Sequence, residues 1–209
     1  MDGNSDSRKV NIDYTLEFAK QALEAGIYKF VYVSSSHVYG PSELVTNEMS
    51  HANPISVYGE QKLSAEKGLL DIFSMSPEKL VIARVFSLLD IGMPSFSLGG
   101  LAERIISSST IIEVRNSNDV RDFMDLKTCA NAIYQLAKHK TKTQVYNLCS
   151  GTRYSVREAL TLIVEANGGS TSQVKFIAEN SNRPYQWGSN ERFKAEFPDV
   201  NLGWKYAPR

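Results

Sequence analysis

The chain has 209 residues, 42% of them hydrophobic, which suits one globular domain or a domain with a small appendage. Its 23 basic and 23 acidic residues give a formal net charge of +0, which disfavours nucleic acid and anionic membranes as partners. The two cysteines, Cys129 and Cys149, form neither a disulfide framework nor a metal-binding spacing. Because no apolar run is long enough to cross a membrane and no signal peptide is visible, we expect a cytoplasmic protein without a bound metal.

Hydrophobic periodicity predicts helices and strands that alternate along the first part of the chain. A helix over 11–25 ends at Gly26 and is followed by a buried strand over 29–34. A second helix covers 55–73, and a second buried strand covers 79–85. This strand–helix–strand order predicts a βαβ unit with parallel strands and a right-handed crossover.

The predicted elements after residue 93 are shorter. A capping box at Ser155–Glu158 opens one helix, which the glycines after Asn167 close. The other predicted elements are helices over 98–108 and 126–138 and strands over 111–114, 145–148 and 174–178.

Tyr58 and Lys62 are four residues apart on the predicted second helix, so their side chains lie on the same face. A nearby ammonium lowers the cost of ionising a phenol, and such a pair can act as an acid or base near neutral pH. Taken alone, the spacing is also typical of the edge of an amphipathic helix. The strand upstream ends in three serines, at the sheet edge where open α/β sheets carry their chemistry.

Six short motifs follow one another along the chain. They are KFVYVSSSHVYG (29–40), NPISVYGEQKLSAEK (53–67), ARVF (83–86), VRDFMD (120–125), VYNLCSG (145–151) and LGW (202–204). In this order the chain resembles the extended short-chain dehydrogenase/reductase family, and within it the NAD-dependent epimerase/dehydratases that act on nucleotide sugars. The resemblance implies NAD or NADP as cofactor, a nucleotide-diphosphate sugar as substrate, and a homodimer formed through the helices at 11–25 and 56–73.

The resemblance also implies a fold. We expect an α/β protein containing the C-terminal half of a doubly wound (Rossmann) parallel sheet and a small α+β substrate-binding region. Residues 1–92 would form the partial NAD-binding region with the catalytic residues. Residues 93–209 would form the substrate-binding region, with the strand at 145–148 returning to the sheet.

By the same resemblance, five residues are candidates for catalysis. Tyr58 would be the acid/base, Lys62 would lower the pKa of Tyr58 and hold the nicotinamide ribose, and Ser35 would hydrogen-bond the reacting hydroxyl. Asn11 would organise a proton-relay water, with a helix N-cap as the alternative. His37 stands where related dehydratases carry Glu and some epimerases Cys; it would transfer a proton at a sugar carbon, or else face solvent in a loop.

The resemblance assigns further residues to ligand binding. Tyr58 and Lys62 would contact the cofactor together with Ser34 and Phe86, although Ser34 could instead satisfy strand-end backbone groups and Phe86 could simply pack in the core. The candidates for substrate binding are Ser35, Ser36, Ser87, Arg121 and Arg183, the two arginines being suited to a diphosphate. Ser36 could instead satisfy strand-end backbone groups, and Arg183 could be an ordinary surface residue.

Two acidic residues are predicted to support this region. Asp122 and Asp125 would orient Arg121 and cap the helix that follows.

The sequence contains no glycine-rich GxGxxG turn, the feature that holds the pyrophosphate in dinucleotide-binding folds. We therefore expect that on the order of 80 residues of the family's first half are missing. Two readings follow. The chain is a nucleotide-sugar epimerase/dehydratase-like enzyme that oxidises and reduces a sugar hydroxyl, or it is an inactive fragment or pseudoenzyme that serves as a binding or structural subunit. By itself it would bind NAD weakly or not at all, unless another chain supplies the missing half.

Overall fold

The structure is a computed structural model that describes residues 3–179, 181 and 184–208, with side chains described from residue 6 onward. The strands are β1 (Phe30–Ser35), β2 (Leu80–Val85), β3 (Ser87–Leu88), β4 (Ile112–Val114), β5 (Val120–Met124), β6 (Val145–Leu148), β7 (Arg153–Ser155), β8 (Val174–Phe176) and β9 (Tyr185–Gln186). The α-helices are α1 (Gly3–Arg8), α2 (Thr15–Glu24), α3 (Val57–Ile72), α4 (Leu98–Ser107), α5 (Leu126–Lys138), α6 (Val156–Ala166) and α7 (Glu191–Glu196).

The central sheet consists of three parallel strands in the order β1–β2–β6. Strand β2 is buried along its whole length, as expected for the middle of a parallel sheet with both faces covered. Helix α3 links β1 to β2 and packs its buried positions, such as Ala65 and Leu69, against the strands. The βαβ unit predicted from the sequence is therefore confirmed, and so is the α/β fold.

The second half of the chain builds smaller sheets beside the central one. Strand β5 pairs in parallel with β3 and β9 and antiparallel with β7, while β4 and β8 form a separate parallel pair. A second apolar core joins these strands to α4 and α6, and Trp204 closes it by donating its indole N–H to the carbonyl of Leu89 at 2.9 Å.

The loop after β1 is fastened to a distant segment. Thr46 forms a parallel bridge with Gly188, and the amide of Thr46 donates to the carbonyl of Trp187 at 3.2 Å. The amide of Ser42 donates in the same way to the carbonyl of Tyr185 at 3.1 Å. The loop also contacts the central sheet, since the side-chain amide of Asn147 on β6 donates to the carbonyl of Thr46 at 3.3 Å.

The N-terminal helix differs from its prediction. It begins at Gly3 rather than near residue 11, and a π-helical turn over Lys9–Tyr14 joins α1 to α2 without a break. Asn11 therefore lies inside the helix, and the N-cap alternative for this residue is wrong. In the described ranges, no helix is both long and apolar enough to cross a membrane.

Candidate active site

The position of Tyr58 follows from how helix α3 begins. Ser56 caps the helix by accepting the amide N–H of Gly59 on its Oγ at 3.1 Å. A side chain at residue 59 is excluded, because a Cβ there would lie 2.5 Å from the carbonyl oxygen of His37. The close approach at Gly59 seats the first turn of α3 on the short helical turn after β1, and so brings Tyr58 to the end of that strand.

The Tyr58 phenol lies beside Ser35 and His37. Its ring meets the His37 imidazole edge-on with 5.4 Å between the ring centroids. Burial raises the pKa of the phenol, and the neighbouring Ser35 side chain offsets part of that rise. Because Tyr58 is still 44% exposed, a protonated acid is presented to solvent at neutral pH.

Lys62 lies one turn further along the same helix. Its ammonium donates to the carbonyl of Val33 at 3.0 Å and lies 4.8 Å from the ring centroid of Tyr32 and 5.8 Å from that of Tyr58. Burial lowers the pKa of Lys62, and the charge of Glu66 opposes this. The net pKa shift of Tyr58 is upward, opposite in direction to the lowering expected from Lys62, because burial outweighs the other influences.

Asn11 contacts helix α3 from its π-helical turn. Its side-chain amide donates to the side-chain oxygen Oε1 of Gln61 at 2.7 Å, and the Nε2 of Gln61 in turn donates to the Ser7 hydroxyl at 3.1 Å. Asn11 is therefore anchored next to the residue that precedes Lys62. The proton-relay role of Asn11 stays a prediction, as does the choice between a catalytic and a solvent-facing His37.

Three of the predicted ligand-binding residues are buried. Ser34 donates its hydroxyl to Glu66 at 2.5 Å, and Ser36 is only 2% exposed at the turn after β1. The ring of Phe86 packs against Tyr39 in a small core with Cys149. The ligand-binding roles of the three residues stay predictions.

The structure assigns Arg121 a different carboxylate from the one predicted. Arg121 forms an ion pair with Asp119 at 2.9 Å, whereas Asp122 accepts bonds from the turn at Ser150 and Gly151. The prediction that Asp122 orients Arg121 is therefore wrong. Asp125 caps α5 as predicted, by accepting the amide of Thr128 at 3.0 Å.

Of the remaining substrate-binding candidates, Ser87 lies half-buried on β3, opposite Phe123 of β5. Arg183 lies outside the described residues, and its role stays a prediction. Asp119 was missed because an acidic residue two positions before an arginine carries no signal of its own. Glu66 was missed too, although its place four residues after Lys62 was visible in the sequence.

Comparison with known proteins identifies relatives. The family model described as "NAD dependent epimerase/dehydratase family" matches residues 1–149. The chain is 29% identical over 168 residues to the GDP-6-deoxy-D-mannose reductase of Pseudomonas aeruginosa, covering 75% of this chain and 55% of that protein. It is 23% identical over 192 residues to the dTDP-6-deoxy-L-talose 4-dehydrogenase (NAD(P)(+)) of Kitasatospora kifunensis, covering 88% and 59%. The chain thus spans little more than half the length of these two relatives.

Solved structures share the fold. The structure of RMD from Pseudomonas aeruginosa complexed with NADPH superposes with a TM-score of 0.82 at 25% identity, covering 97% of this chain and 70% of that one. The UDP-glucose 4-epimerase of Thermotoga maritima, solved with UDP-glucose, superposes with a TM-score of 0.80 at 20% identity, covering 97% and 66%.

Proposed function

Because the chain belongs to the NAD-dependent epimerase/dehydratase family, we propose that it carries the proton-transfer site of an enzyme that oxidises or reduces a hydroxyl of a nucleotide sugar. The observation that supports this most directly is the cluster of Tyr58, Ser35 and Lys62 at the end of β1. Within it a protonated phenol lies beside a hydroxyl, is exposed on one side, and is followed one helical turn later by a cation.

The cluster suits carbonyl reduction and its reverse. A nicotinamide, when bound, would supply or accept the hydride. Tyr58 would give its proton to a carbonyl oxygen that is being reduced, or take the proton from a hydroxyl that is being oxidised. Ser35 would donate a hydrogen bond to that same oxygen, and both groups are placed by the fold before substrate arrives.

We propose that the exposed rim of the cluster receives the nicotinamide ribose. Val33 and Tyr58 are each 44% exposed, so a ligand can approach along the outer edge of β1. The Lys62 ammonium has three N–H donors, and the bond to Val33 uses one of them. The two remaining donors would serve the ribose hydroxyls of NAD or NADP.

We favour a net reduction or oxidation over dehydration. The two relatives described above are named as a reductase and a 4-dehydrogenase of 6-deoxy-sugar nucleotides. Elimination of water in the family is associated with a Glu at the position of His37, and a neutral imidazole is a different base. The substrate we propose is therefore a nucleotide-linked 6-deoxyhexose with a carbonyl or hydroxyl on its ring. Arg121, with Arg183, would hold its diphosphate.

The direct test is turnover of GDP-linked and dTDP-linked 4-keto-6-deoxyhexoses, with NADPH or NADH as the reductant. Where the chain binds the reduced nicotinamide, it is expected to oxidise it, and Tyr58→Phe is expected to slow this by at least about a hundredfold. Tyr134→Phe is the matched control, since Tyr134 is exposed on α5, away from the cluster. Equal rates for wild type and Tyr58→Phe would refute the proposal.

This sequence contains no GxGxxG turn. We propose as a second candidate function that the chain acts as a binding or structural subunit, or becomes active only beside a chain that supplies a phosphate-binding half. Isothermal titration of the purified chain with NAD and with NADPH separates the two candidates. Micromolar or tighter binding by the chain alone rules out the inactive subunit. Absence of binding together with absence of turnover favours it.

We also propose that the protein forms a homodimer through its first helices. Val10, Tyr14 and Phe18 follow one another at four-residue spacing, which places them on one helix face, and each is at least 60% exposed. An exposed apolar stripe of this kind is typical of helix–helix association.

A further inference from the structure

Three polar residues form a row across the central sheet. Ser34 of β1 is in register with Arg84 of β2, and Arg84 is in register with Asn147 of β6. All three are at most 8% exposed. Polar side chains are costly to bury without partners, so each residue of this row requires a hydrogen-bond partner inside the protein.

Glu66 of helix α3 is the acidic member that completes the row. Its carboxylate accepts the Ser34 hydroxyl at 2.5 Å and the Nη2 of Arg84 at 2.6 Å, while the Nε of Arg84 lies 3.1 Å from Oε1. Arg84 also donates to the hydroxyl of Tyr39 at 2.9 Å, and Tyr39 donates to Asn147 at 2.7 Å. One carboxylate therefore ties the catalytic helix to the ends of two neighbouring strands.

The same carboxylate lies close to the catalytic cation. Glu66 comes four residues after Lys62, on the same helix face. Among the described residues, the titratable groups that face the Lys62 ammonium are Tyr32 of β1 and, on its own helix, Tyr58 and Glu66. Burial favours the neutral amine of Lys62, and Glu66 is the negative charge that opposes this.

A buried ion pair is poor evidence for stability, because apolar residues of the same size often stabilise a core equally well. We propose instead that Glu66 is a positioning residue, which fixes helix α3 on the ends of β1 and β2 and places a negative charge one helical turn from Lys62. The benefit to catalysis rests on the proposed function. The effect on the charge and place of Lys62 does not.

The test compares three variants by the titration of Lys62. In protein labelled at the lysine side chains, the Lys62 resonance is assigned by its loss in Lys62→Met, and its pH titration is followed by NMR. In Glu66→Gln the Lys62 pKa is expected to fall, because the negative charge that opposes the effect of burial is removed. Glu60→Gln makes the same change at an exposed position of the same helix, and should leave the titration of Lys62 unchanged.

The double variant Glu66→Gln/Arg84→Met separates a direct effect of Glu66 from simple neutralisation of Arg84. It also removes the unpaired buried guanidinium, so it keeps the test decisive if Glu66→Gln alone does not fold. A lowered Lys62 pKa in the double variant supports the proposal. A wild-type titration in Glu66→Gln, or its restoration in the double variant, overturns it.

These titrations need neither cofactor nor substrate. A shifted Lys62 titration in a chain without turnover would therefore count against the proposed function alone. If the protein turns over, the pH profile of kcat gives a further test. In Glu66→Gln the alkaline limb of this profile is expected to move to lower pH by the same interval as the Lys62 pKa. A loss of stability alone would not produce this shift.

Discussion

Gly40 and Gly26 adopt the same backbone conformation in different surroundings. Both have φ of +76°, in the left-handed region that favours glycine. A Cβ at Gly26 would meet no atom within 4 Å, whereas one at Gly40 would overlap the carbonyl oxygen of Asn53. Replacing each glycine by alanine therefore separates the cost of the backbone conformation from the cost of a collision with backbone.

We expect Gly26→Ala to lower the free energy of unfolding by about 1 kcal/mol, the ordinary cost of a side chain in this conformation. Gly40→Ala should lower it by at least about 3 kcal/mol, since the loop at Asn53 must also move. Urea unfolding followed by circular dichroism measures both values. Equal losses of unfolding free energy for the two variants would show that the 53–55 loop moves away from the new side chain at no measurable cost.

Asp122 is predicted to make stability depend on pH. Burial raises the pKa of its carboxyl to about 6, in spite of the bonds it accepts from Ser150 and Gly151. Between its ordinary value of 3.8 and about 6, the folded state binds a proton that the unfolded state has released. The contribution of Asp122 to stability therefore falls as pH rises through this window.

The comparison of wild type with Asp122→Asn isolates that contribution. The free energy of unfolding of the wild type, relative to the variant, should fall by about 2–3 kcal/mol from pH 4 to pH 6.5. Urea titrations at several pH values provide the measurement. A difference that grows with pH would mean that the hydrogen bonds of the turn outweigh burial, and that the carboxyl titrates below its ordinary value.

At the level of residues, the sequence predicts contacts that follow from helix spacing and strand ends. Tyr58, Lys62 and Ser35 meet because α3 starts beside the turn that ends β1. The bonds of Asp122 could not be predicted, since they join it to a turn 28 residues away in the chain. Glu66 differs, because its spacing from Lys62 was visible but its partner Arg84 became apparent only in the folded sheet.

The capping box at the start of α6 is the clearest local determinant of an element. Ser155 accepts the amide of Glu158 at 3.1 Å, and the Glu158 carboxylate accepts the amide of Ser155 at 2.7 Å. We expect Ser155→Ala to cost about 1 kcal/mol in the free energy of unfolding. Glu158→Gln keeps an acceptor for the same amide and should cost only a few tenths. Thermal unfolding of both variants is the measurement, and equal losses would show that the charge of Glu158 matters more than the bond.

The pKa of Glu158 gives this element a pH dependence of known sign. The bonds to Ser155 lower the pKa of the Glu158 carboxyl below its ordinary value of 4.5. Its contribution to stability is therefore present above pH 4.5 and is lost as the pH falls through the lowered value. Ser155→Ala should show a smaller loss of stability below pH 4.5 than the wild type shows.

Elements with strong local signals were predicted to the residue, and those shaped by distant contacts were not. Helix α5 runs over Leu126–Lys138 as predicted, because Asp125 caps its start. The start of the first helix was missed, since its π-helical turn accompanies bonds to Gln61, a residue on another helix. Periodicity within one segment contains no information about such a partner.

For the whole molecule, the proposed dimer can be tested at its exposed stripe. Phe18 is 65% exposed on α2, and a charge there would be buried against the partner helix. We expect Phe18→Glu to shift the protein from dimer to monomer in sedimentation velocity. Phe96→Glu is the control, because Phe96 is 91% exposed in the loop before α4, outside both helices of the proposed dimer. A wild type that sediments as a monomer at all concentrations would refute the dimer.

The bridge between Thr46 and Gly188 has a consequence for biosynthesis. Thr46 also donates its hydroxyl to the carbonyl of Trp187, a residue 141 positions later in the chain. During synthesis from the N-terminus, the loop at 42–46 emerges from the ribosome long before its partner segment. We therefore expect this corner to be ordered only after residues 185–188 have emerged, and the nascent protein to expose it to proteases until then.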